Sequence, residues 1–120
     1  SVFATLAFHW AGRNNRFPDQ LAGSTQAHCA RKLYYSTSPA ALPDRQPISF
    51  PPVTARIEIG RYVEAKIAAF HAHQTQSPVF PIFDAHVDKL GNPELFHLAA
   101  SISPGAVSME TDLFAGVADT

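Results

Sequence analysis

Six histidines, a set of carboxylates and a single cysteine are the groups of this 120-residue chain best suited to chemistry, and their spacing decides which could act together. His71 and His73 stand two apart in a stretch of helical period. About 200° separates them on a helix surface, so they do not share a metal ion. His28 and Cys29 are adjacent, and adjacent side chains seldom converge on one ion, which makes them a loop pair rather than ligands. Asp84, His86 and Asp88 alternate: in an extended segment they would share one face and offer oxygen and nitrogen ligands to a divalent ion, or form a solvated polar edge. Trp10, Arg13, Arg16 and Phe17 bring aromatic faces and guanidinium donors to one stretch of chain. That pairing suits hydroxyl-rich ligands, the other reading being a solvated loop.

The elements that must position these groups follow from periodicity. Phe3, Leu6 and Trp10 recur at helical spacing and predict a helix over residues 1–11, stopped by Gly12. Residues 13–29 read as a long polar loop with one short helical turn near Gln20. Residues 32–37 are aromatic and β-branched and predict a buried strand. The five prolines between Pro39 and Pro52 predict an irregular connector. Residues 53–59 alternate as a half-buried strand closed by Gly60. A helix is predicted over 61–76, before Pro78 and Pro81 break it, with Val63, Ile67 and Phe70 as its apolar stripe and Lys66, Ala69, His73 and Gln76 as a second stripe beside it. His71, Gln74 and Thr75 then point toward solvent. Residues 79–93 read as two short apolar clusters and a turn, residues 94–101 as a last strand, Ser103-Pro104-Gly105 as a turn, and residues 112–117 as a short apolar tail.

Composition bounds the rest. One domain, residues 1–120, is all the length allows, and 46% hydrophobic residues supply a modest core. A charged fraction of 16% and a net charge of -1 leave no basic footprint for phosphates or anionic lipid, so neither nucleic acid nor membrane is an expected partner. The apolar run from Val2 to Phe8 is too short to span a bilayer. A single cysteine excludes an internal disulfide and fits a reducing, cytoplasmic setting.

The stretch Lys66-Ile67-Ala68-Ala69-Phe70-His71-Ala72-His73-Gln74-Thr75-Gln76 resembles the Lys-x-x-Ala-x-x-x-His-x-x-Gln helix near the C-terminus of LmbE-like (PIG-L) de-N-acetylases. Four further pieces are similar in the same order: Arg31-Lys32-Leu33-Tyr34-Tyr35, Ile57-Glu58-Ile59, Glu94-Leu95-Phe96-His97-Leu98-Ala99, and Glu110-Thr111-Asp112-Leu113-Phe114-Ala115-Gly116. The order is more specific than any one piece.

The resemblance implies an α/β protein, the C-terminal part of a Rossmann-like LmbE-type fold with a few strands, one long helix and extended loops. It implies a parent enzyme that uses zinc to remove an N-acetyl group from an N-acetylglucosamine-type sugar. That family's metal and base motifs, Ala-His-Pro-Asp-Asp-Glu and His-Pro-Asp-His, are absent here: Pro18-Asp19 and Pro43-Asp44 are each preceded by a residue other than histidine. The expectation is therefore a chain that enters just after the second motif and holds no catalytic residue and no zinc of its own. Lys66, His73 and Gln76 are expected as structural signature residues, with His73 and Gln76 shaping a substrate pocket as the other reading, and Trp10, Arg13 and Arg16 as candidate sugar contacts. A piece of an α/β sheet exposes an edge and apolar surface, so pairing with the missing N-terminal half or self-association is expected. The competing reading is a non-catalytic ligand-binding or interaction domain that keeps this half of the fold.

Overall fold

A computed structural model of the chain describes residues 2–21, 23, 25–37, 51–103 and 108–117. Most of the proline-rich connector expected over 39–52 and part of the turn at 103–105 lie outside them. Helix α1 (Val2–Ala11) is followed by a 3-10 turn (Pro18–Leu21), strand β1 (Lys32–Ser36), strand β2 (Ala55–Glu58), helix α2 (Val63–His71), helix α3 (Phe80–Leu90) and strand β3 (Pro93–Ser101). Gly12 ends α1 and lies hard against the loop before β1: a Cβ there would sit 3.2 Å from Cys29 Sγ, closer than a side chain is normally placed.

The strands form one antiparallel sheet in the order β1-β3-β2. β3 is central because it pairs along both edges: one meets β2, with Ala55 opposite Phe96 and Glu58 opposite Pro93, and the other meets β1, with Ser36 opposite Phe96 and Lys32 opposite Ser101. The register shifts between Leu33 and Tyr34, which face Ala100 and Leu98, so Ala99 is the extra residue of a bulge. On β1, Lys32 and Tyr34 therefore share one face while Leu33 and Tyr35 share the other.

The expected single long helix over 61–76 is instead a 3-10 turn (Gly60–Tyr62), α2 proper, and a second 3-10 segment (Gln74–Val79) leading into α3. α2 closes with Ala72 N–H on Ala68 O at 3.0 Å, then tightens, with His73 N–H on Phe70 O at 3.0 Å. His73 turns to ψ 77, and the Gln74 carboxamide caps the freed His71 carbonyl at 3.0 Å. Pro78 lies ahead: it has no N–H, and its ring would meet the carbonyl of Gln74 in a continuing α-helix. Pro81, expected to break structure, sits instead in the first turn of α3, where its missing N–H has no helical partner to lose. Gly91, at φ 70, ends α3 with its N–H on Val87 O at 3.0 Å.

α2 and α3 pack through aromatic rings. Phe70 stacks on Phe83 at 3.9 Å between centroids and meets Phe80 edge-on at 5.6 Å. Val87 is the one nearly buried side chain of the pair. Phe70→Ala removes the ring that both contacts share. The expected loss is about 2–3 kcal/mol, below the range for a wholly buried phenylalanine because this ring is half-buried, read as a lower urea midpoint with unchanged slope.

Candidate functional site

Alternation on β1 places the Lys32 ammonium and the Tyr34 hydroxyl on the same face of the sheet. The segment 108–117 supplies their partner. Glu110 pairs with β2 on the edge away from β3, its N–H on Thr54 O at 2.9 Å and its carbonyl accepting from Arg56 N–H at 2.8 Å. Its side chain reaches across to the far strand, where Lys32 Nζ donates to Oε1 at 2.6 Å and the Tyr34 hydroxyl donates to Oε2. The Tyr34 hydroxyl also lies 3.4 Å from Leu113 O. The Lys32 side chain is 9% exposed and that of Glu110 18%.

The charges settle what this cluster can do. The hydrogen bond to Glu110 is the main reason the Lys32 ammonium is held above the ordinary lysine value. Burial, then the Glu110 carboxylate, raises the Tyr34 hydroxyl. Burial pushes the Glu110 carboxyl up, but the bonds from Lys32 and Tyr34 together outweigh it and hold the group below its ordinary value. All three shifts lead away from neutrality, so none of these groups is poised to exchange a proton near pH 7. The arrangement is an electrostatic clamp.

Two further pairs join elements. Lys66 Nζ meets Glu94 Oε1 at 2.7 Å, tying α2 to β3, and stands 5.8 Å from the Phe83 ring centre. His71 Nε2 and Asp84 Oδ1 are 2.9 Å apart, and the imidazole stacks on Phe80 at 4.4 Å. His71 is thus half-buried against α3 rather than turned to solvent. Both partners of that pair are more than a third exposed, which limits what the ion pair adds to stability.

Of the residues singled out from sequence, Lys66 lies on α2, whereas His73 and Gln76 fall beyond the helix end and are exposed. The three do not form one stripe. Asp84, His86 and Asp88 lie on α3, not on an extended segment: Asp84 and Asp88 are one turn apart, with His86 on another side. His28 and Cys29 are exposed loop residues. Among the described residues no group of three or more His, Cys, Asp or Glu side chains is placed to hold a metal ion. After α1 the chain turns through Arg13 N–H on Trp10 O and Arg16 N–H on Arg13 O, both at 3.0 Å, and the Arg16 guanidinium covers the Trp10 ring at 4.6 Å. Beside this turn lies an open depression of about 620 Å³ lined by Asn14, Pro18, Leu21, Thr25, Gln26 and Ala27.

The clamp is only half visible in local spacing. Lys32 and Tyr34 at alternate strand positions gave a local sign of a shared face, but their partner lies 78 and 76 residues away. Glu110→Gln leaves the Lys32 ammonium without its counter-charge, and a loss of about 2 kcal/mol is expected at neutral pH. The lowered Glu110 value stabilises the fold above the unfolded carboxyl range and loses that effect as pH falls through the folded value. The raised Lys32 and Tyr34 values act below their unfolded values and lose their effect as pH rises through the folded ones. Urea midpoints measured from acid to alkaline buffer should show a neutral plateau that E110Q lowers, with a shallower acid limb. An unchanged midpoint for E110Q at neutral pH would remove the clamp assignment.

No family model matches the chain, and no solved structure matches it. In a curated comparison the chain is similar to a protein of Frankia casuarinae named 1D-myo-inositol 2-acetamido-2-deoxy-alpha-D-glucopyranoside deacetylase 1. The two are 46% identical over 72 residues, which cover 55% of this chain and 24% of the relative. The likeness is to a deacetylase, and it spans about a quarter of that protein's length.

Proposed function

We propose that this chain is part of a zinc-dependent hydrolase that removes an N-acetyl group from an N-acetylglucosamine-type sugar, with the metal motifs on polypeptide outside these 120 residues. The observation that carries the reading is the 46% identity over 72 residues to a deacetylase named for an acetamido-deoxy-glucopyranoside. In this reading the three antiparallel strands form one margin of a larger, mixed, Rossmann-like sheet, an arrangement α/β folds often adopt at an edge. The lone cysteine fits work in the cytoplasm.

Amide hydrolysis of this kind needs an activated water and a polarised carbonyl, both of which a zinc ion supplies when bound. The described residues do not fit that ion, since they gather no ligand set, and no step of the reaction is assigned to them. Their part is support. The clamp through Glu110 and the Lys66–Glu94 pair fix the sheet and α2. The loop after α1 is the proposed sugar-facing wall, with Trp10, Arg13 and Arg16 beside a depression whose Asn14, Thr25 and Gln26 side chains can each give and accept hydrogen bonds to hydroxyls.

Two measurements test the reading. The intact mass of the natural polypeptide should exceed 13.0 kDa, with a His-Pro-Asp-Asp-Glu motif in the added sequence and acetate release from an N-acetylglucosaminide. A natural product of 13.0 kDa would overturn the reading in favour of a non-catalytic binding domain. Zinc titrated into the 120-residue chain should bind more weakly than micromolar, and sub-micromolar affinity would place a metal site in this chain after all.

A further inference from the structure

Among the described residues Phe17 is the one non-glycine residue with positive φ, at 51°. Bulky side chains rarely take that conformation, and a position before proline is restricted already. The turn holds it there. Arg16 N–H meets Arg13 O at 3.0 Å on one side, and the Phe17 carbonyl accepts from Gln20 N–H at 2.9 Å on the other. Burial does not offset the strain, because Phe17 is 57% exposed. Strain held without a packing gain is characteristic of ligand contacts.

The same stretch of chain borders the open depression of about 620 Å³, since Asn14 before Phe17 and Pro18 directly after it both line that space. None of the described lining side chains is charged: Pro18, Leu21 and Ala27 are apolar, and Asn14, Thr25 and Gln26 are neutral groups that give and accept hydrogen bonds. Trp10, where the turn begins, is half-buried with the Arg16 guanidinium over its ring at 4.6 Å, so Phe17 carries the open aromatic face.

This combination suits one class of ligand. A pyranose is apolar on its C–H face and hydroxylic around its rim, and the partly positive C–H groups are attracted to the negative face of an aromatic ring. A charged ring would find no counter-charge among the described lining residues. We propose that Phe17 is the stacking platform of this depression, its ring covering the C–H face of a neutral sugar whose hydroxyls meet Asn14, Thr25 and Gln26. The choice of an N-acetylated sugar rests on the deacetylase reading; the platform rests on the backbone angle and the lining.

Methyl N-acetyl-β-glucosaminide titrated into the 120-residue chain, with amide shifts of Phe17 and Gln26 read by nuclear magnetic resonance, tests the platform. Phe17→Gly removes ring and strain together, so affinity should fall about tenfold while the urea midpoint holds or rises. Phe17→Tyr keeps the ring and should keep the affinity. Equal affinity in F17G overturns the proposal, as does a wild-type chain with no saturable response. A lower urea midpoint in F17G makes Phe17 a packing residue and overturns it too. N-acetylglucosamine 6-phosphate binding more tightly than the methyl glycoside would assign the site to an anion held by Arg13 and Arg16 instead. Acetate release by the natural polypeptide is a separate readout. Sugar binding without it removes the enzymatic reading and keeps the platform, whereas release with F17G binding unchanged removes the platform alone.

Discussion

One carboxylate closes the sheet. The Glu110 backbone is hydrogen-bonded to β2 at one margin, and its two carboxylate oxygens take donors from Lys32 and Tyr34 on β1 at the other. β3 lies between, so this group spans the whole width of the strand order. Such a link holds a narrow sheet with a small core: among the described residues Ala55, Val87, Thr37 and Pro93 are buried, and none of the larger side chains is fully enclosed. A charged contact in a part-buried place is costly to form and more costly to leave half-made. Here both oxygens and the ammonium are engaged together, and Tyr34 also meets Phe96 edge-on at 6.4 Å.

The helical layer is built differently. α2 and α3 meet through Phe70, Phe80 and Phe83, and two polar pairs flank these rings. Lys66 to Glu94 runs outward to β3, and His71 to Asp84 joins the last turn of α2 to α3. Prolines mark the junction between the two helices. The backbone leaves the helical region at His73, Pro78 lies in the 3-10 segment that follows, and Pro81 fits the first turn of α3.

Much of this was legible from local pattern. The first helix, the short turn at Pro18–Leu21 and all three strands lie where alternation, helical spacing and glycine placed them. α3 was missed although its signal was present: Phe80, Phe83, Val87 and Leu90 are spaced three, four and three apart. Pro81 reads as a breaker by residue type, whereas its place in the first turn of α3 makes it a starter. The helix predicted to Gln76 runs five residues past the end of α2 because the polar stripe through His73 and Gln76 continues the helical period, and periodicity does not register the ring of Pro78. Glu110 was beyond local reading, because a pair formed across more than seventy residues leaves no spacing to detect.

The stretches that resemble a deacetylase are largely one another's partners. Lys66, from the helix piece, pairs with Glu94, from the last-strand piece. Lys32 and Tyr34, from the first-strand piece, pair with Glu110, from the tail piece. Ile57, from the remaining piece, stands opposite Glu94 in the sheet. Five short segments far apart in sequence thus converge on a single bonded frame, and their likeness to a family is a likeness of frame. His73 and Gln76 bear this out by contrast: they complete the helix signature in sequence, yet lie exposed past the end of α2 and outside the two ion pairs that fasten the frame.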